Sequence, residues 1–95
     1  MFTQSYYDLA KLMQDFGWFS GYYSYKFEVE EANQEKEQEL AEKLREIDMM
    51  VDQALELYTQ AGHITREQEG ELLKKYSDTS QKVKHTFVNI VNEVE

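Results

Sequence analysis

The sequence contains no cysteine, no proline and only four glycines in 95 residues. Without cysteine there is no disulfide to staple a small domain and no thiolate to act as nucleophile or metal ligand, and the composition fits a reducing cytoplasm. Without proline, little interrupts a helix. No stretch approaches the eighteen or so apolar residues of a membrane span. The opening MFTQSYYDLAKLMQDF has neither a basic leader nor an unbroken apolar run, so no signal peptide and no membrane association are expected. A glycine-rich phosphate loop and a calcium loop are both missing. The residues three before His63 and His85 are Gln60 and Lys82, where a di-metal carboxylate bundle places glutamate. The expectation is a protein with no catalytic residue, no metal and no cofactor, and therefore not an enzyme.

What is present is helical periodicity. Ninety-five residues suit a single helical domain, 1–95, with a thin core. Ser5 and Asp8 have the spacing of a capping box, and Tyr6, Leu9, Leu12, Met13 and Phe16 follow at helical intervals up to Gly17, which suits a glycine cap. This predicts a first helix over about 6–16. Residues 23–29 alternate in the manner of a strand, yet Trp18, Tyr22, Tyr25 and Val29 also step 4-3-4. A lone strand has no partner in this chain, so helix is the better reading.

Leu40, Leu44, Ile47, Val51, Ala54, Tyr58 and Ala61 then form a 3.5-residue seam, predicting a second helix over about 18–61 that stops at Gly62. Thr65 and Gln68 form another capping box and open a third helix over about 66–95, with Leu73, Tyr76, Ser80, Val83, Phe87, Ile90 and Val94 as its seam. Two seams of equal period across a short turn predict an antiparallel hairpin, with Phe87 opposite Leu40 and Val83 opposite Leu44. The expected fold is all-α and bundle-like: three helices, of which a short N-terminal one accompanies a long antiparallel helical hairpin.

Charge is unevenly spread. The formal net charge is −9, and residues 28–56 hold eleven acids against three bases. Within them Glu28, Glu31, Glu35, Glu39, Glu42 and Glu46 fall on an arc of about 60° if the helix is continuous. Like charges four residues apart do not help a helix, so this ridge is a candidate surface for a basic protein partner. It also argues against direct nucleic-acid binding. Its charge density is about one per 5.4 Å, roughly a third of duplex DNA, which disfavours a nucleic-acid mimic.

Aromatics are equally localised, ten of the thirteen lying in residues 1–27. The third helix, about 45 Å long, outruns the apolar seam of the second, about 32 Å, and a first helix of about 16 Å covers little. Trp18, Tyr22, Tyr25, Val29, Phe87, Ile90, Val91 and Val94 therefore make an expected self-association surface, and a homodimer is predicted. The function expected is that of a small acidic protein-interaction module. It would be an inhibitor or regulator of the phage or mobile-element type, binding and blocking a larger macromolecule. A helical-hairpin chaperone or adaptor of a secretion or assembly system is the alternative, and a nucleic-acid mimic the third.

Overall fold

In the computed structural model, which describes residues 3–29 and 33–94 with side chains through 92, the chain forms three long helices. They are α1 (Gln4–Val29), α2 (Gln34–Gln60) and α3 (Arg66–Val94). The fold is all-α, and no strand occurs among the described residues. Contacts ascend together along α1 and α3: Thr3 with His63, Tyr6 with Glu71, Ser20 with Ser80 and Tyr25 with Phe87. Those two helices are therefore parallel, and α2 runs antiparallel to both in an up-down-up bundle measuring 48 × 27 × 16 Å.

The first break falls elsewhere than the sequence suggested. Gly17 does not end a helix; α1 continues through it to Val29, and Asn33 caps α2 by accepting the Lys36 N–H at 3.2 Å. The reason is tertiary. A Cβ at Gly17 would stand 2.7 Å from Thr79 Cβ and 3.0 Å from the Tyr76 carbonyl oxygen. At Gly21 it would stand 2.5 Å from the Ser80 carbonyl oxygen and 2.7 Å from Val83 Cβ. These glycines are kept bare so that the α1 and α3 backbones can touch, in the manner of other small-residue helix crossings. Between them the buried Ser20 hydroxyl accepts a hydrogen bond from Ser80 Oγ at 3.0 Å, which satisfies the polar groups at the crossing.

The dominant packing pair is consequently α1 with α3, then α1 with α2, while α2 and α3 meet least. The hairpin turn itself is as expected. Gly62 has φ +80°, the left-handed conformation that favours glycine. The His63 N–H reaches the Tyr58 carbonyl, and the Gly62 N–H reaches that of Thr59, the paired bonds of a Schellman motif. Thr65 and Gln68 form the reciprocal capping box at 3.0 and 3.1 Å. At the start of α1 the cap is Thr3, not Ser5: its hydroxyl accepts the Tyr6 N–H at 3.2 Å and donates to the His63 carbonyl at 3.1 Å. One side chain thus starts α1 and pins it to the turn.

The buried stripes follow 3.6 residues per turn, so they drift off the 3.5-residue seams read from the sequence. On α2 the stripe is Leu40, Ile47, Val51 and Leu55, leaving Tyr58 exposed. On α3 it is Leu72, Tyr76 and Val83, leaving Leu73 and Ile90 exposed. Leu9 and Met13 of α1 complete the core with Ile64 of the turn. Tyr76 ties the weakly packed pair, donating to Asp48 Oδ1 at 2.5 Å. Burial first, and then the bond to Asp48, push its phenol from 10.0 up to about 12.

Two tests follow. Gly21→Ala should destabilise the fold by about 1–3 kcal/mol through overpacking, although alanine is the better helix former by about 1 kcal/mol. Gly70→Ala, which meets nothing within 4 Å, should instead stabilise by about 0.5–1 kcal/mol. Equal gains in melting temperature for both would remove the close approach. As for Tyr76, its raised folded value means that its support is whole below pH 10 and is lost as the pH climbs through about 12. Absorbance titration should show a tyrosine ionising near 12. Tyr76→Phe should delete that step and cost about 0.5–1.5 kcal/mol at neutral pH.

Candidate partner-binding groove

Since α1 is 26 residues long, about 39 Å, it reaches the tail of α3 itself. Phe87 lies at the centre of an aromatic cluster within the one chain. Tyr25 stacks on it at 5.2 Å between centroids, while Trp18 and Tyr22 present edges at 5.7 Å each. These are favourable offset and edge-to-face geometries, worth about 0.5–1.5 kcal/mol per pair beyond buried area. Four of the residues expected to join two chains therefore meet inside one.

The cluster is only partly covered. Trp18 remains 53% exposed, Phe19 57%, Ile90 49% and Val29 48%. Trp18, Val83, Phe87 and Ile90 line an open groove of about 340 Å³ between α1 and α3, with Gln14, Thr79, Lys82 and Thr86 at its polar edges. No residue of α2 contributes to it. A second hollow borders Trp18, Phe19, Tyr22 and Asp15. Lys26 Nζ stands 5.8 Å from the Tyr22 ring centroid, in cation–π range. Val91 is half-buried, and the side chain of Val94 lies outside the described residues.

The acidic ridge is shorter than the sequence implied. Glu28 belongs to α1, Glu31 lies outside the described residues, and only Glu35, Glu39, Glu42 and Glu46 share α2. All four are exposed, and among the described residues none forms an ion pair, whereas Arg66 bridges Glu56 and Glu69 at 2.8 and 3.2 Å. The Arg66 hydrogen bond holds the Glu56 carboxyl below its usual value. His63 lies tilted against Tyr58 in the turn, 5.8 Å between ring centroids, and His85 is exposed on α3. Among the described residues no group of three or more His, Asp or Glu side chains could hold a metal, and no helix is long and apolar enough to cross a membrane.

In class this is an up-down-up three-helix bundle with an open aromatic groove along its parallel pair. Comparison with protein-family models, curated proteins and solved structures finds no match.

The groove was half legible in advance. The density of aromatics marks those rings in the sequence, but nothing there marks Gln14, Thr79, Lys82 and Thr86, whose role depends on the α1–α3 crossing. The glycines and serines at 17, 20, 21 and 24 were the available signal, a small-residue stripe at helical spacing.

Phe87→Ala should destabilise by about 2–4 kcal/mol, since the ring is the hub of three aromatic contacts. Trp18→Ala should cost less than about 1.5 kcal/mol, its ring being more than half exposed. Equal losses on denaturant unfolding would contradict this asymmetry.

Proposed function

We propose that this chain is a non-catalytic interaction module, an inhibitor or regulator that binds a macromolecular partner through the α1–α3 groove. The observation carrying the reading is the groove in which exposed Trp18 and Ile90 flank Val83 and Phe87, with exposed Phe19 bordering the neighbouring hollow, on a strongly acidic molecule. Exposed aromatics arranged around a concave apolar floor are the composition of interface anchors. A groove between two long parallel helices also favours the second reading, a chaperone or adaptor that covers a partner's helix.

The shortened ridge of Glu35, Glu39, Glu42 and Glu46 is a separate surface suited to a basic partner. Four carboxylates over about 16 Å are too sparse to imitate duplex DNA. The homodimer loses its premise, because α1 is long enough to cover the tail of α3 from within.

Replacing Trp18 or Glu39 by a photo-crosslinking phenylalanine analogue separates these surfaces. Irradiation in lysate of the source cell should give one dominant adduct from position 18, lost on adding Ile90→Asp. An adduct from position 39 with none from 18 would move the site to the acidic face. A molecular mass of two chains for the unmodified protein at micromolar concentration would restore the homodimer.

A further inference from the structure

The groove is not only apolar; its α3 wall belongs to a stretch with more bases than acids in a protein that is acidic as a whole. Helix α2 carries eight acids and three bases. The stretches that flank the groove, residues 14–29 of α1 and 72–92 of α3, carry Lys26, Lys74, Lys75, Lys82 and Lys84 against Asp15, Glu28 and Asp78. Lys82 lines the groove itself, and Lys26 stands over the Tyr22 ring. Among the described residues neither lysine has a carboxylate within ion-pair distance. In a chain with nearly twice as many acids as bases, one lysine beside Trp18 and Phe87 and another over the Tyr22 ring that packs on Phe87 mark a charge preference in whatever docks there.

Resting on the groove reading above, we propose that the occupant is an amphipathic helix of a partner protein with an apolar stripe flanked by aspartate or glutamate. The fold supplies the precedent for a helix. The parallel α1–α3 pair has two sides, and α2, itself an acidic amphipathic helix, is packed on one of them. Its Leu40, Ile47, Val51 and Leu55 face the core while its glutamates face out. A partner helix on the other side would complete a four-helix arrangement, with ridges resting on Val83, Phe87 and Trp18. Its acids would meet Lys26 and Lys82.

A single-stranded nucleic acid also stacks on aromatics beside lysines. The observations favour the helix, because Val83 and Ile90 give the floor an aliphatic character that bases do not need.

Trp18 is the chain's one tryptophan, so its emission reports directly on the groove. The probes are two synthetic twenty-residue helical peptides with identical leucine stripes, one flanked by glutamate and one by lysine, together with a twelve-residue oligothymidylate. The glutamate peptide should shift Trp18 emission to the blue and saturate. Lys26→Glu combined with Lys82→Glu, with helix content unchanged by circular dichroism, should weaken it at least tenfold and invert the preference between the peptides. Equal or tighter binding of the lysine peptide would overturn the proposal, as would preferential binding of the oligothymidylate. A blue shift that grows with protein concentration alone, with a doubled mass, would overturn it in favour of a second copy. If position 18 still crosslinks a partner while the charge preference fails, only the acidic-helix assignment falls; loss of both removes the groove.

Discussion

A methyl group on Gly21 would lie 2.5 Å from the carbonyl oxygen of Ser80. That single close approach constrains the rest of the bundle. It brings the α1 and α3 backbones together at Gly17 and Gly21, where side chains would otherwise hold helix axes about 8–10 Å apart. Once α1 is committed to α3, it cannot break at Gly17, and its aromatic second half is carried along the tail of α3. Helix α2, returning antiparallel, finds most of its apolar contact on α1.

Two regions of different character result. Near the turn, Leu9, Met13, Ile47, Val51, Leu55, Leu72 and Tyr76 form a buried, mainly aliphatic core. Thr3 fastens the start of α1 to the turn, and the Schellman and capping-box bonds fix the connection. Toward the other end, small residues at the crossing leave the aromatic rings to fill space at its flank. Phe87 is enclosed by three neighbours, yet Trp18, Phe19 and Ile90 keep much of their surface in water. The groove is a by-product of the crossing: glycine and serine bring the backbones close, and the larger side chains are displaced outward.

Charge follows the same division. The acids of α2 line its outward face, while α3 holds Glu67, Glu69 and Glu71 in its first two turns, where they favour the helix N-terminus, and mostly lysines after them. Net charge alone describes a uniformly acidic protein; the arrangement describes one with a negative helix on one side and a neutral-to-positive aromatic face on the other.

Local chemistry was readable without coordinates. The helical class, the stop at Gly62, the Thr65 capping box and the aromatic crowding at residues 1–27 each depend on residues a few positions apart, and the amino-acid order fixes those relations. The helix assignment of 23–29 over a strand rested on a whole-chain inventory, the lack of any partner strand, which the amino-acid order also supplies. What needed tertiary structure was every choice between partners. Gly17 serves equally as a cap or as a contact surface, and only the presence of Thr79 and Tyr76 opposite decides which. A 3.5-residue seam and a 3.6-residue stripe share most members, so Ile90 against Val91 and Tyr58 against Leu55 were settled by the course of real helices. The glutamate ridge presumed one continuous helix, and it is cut because α1 ends at Val29 and α2 begins at Gln34. Sequence determined that three amphipathic helices form; the distance between two backbones decided which faces they bury and which they leave for a partner.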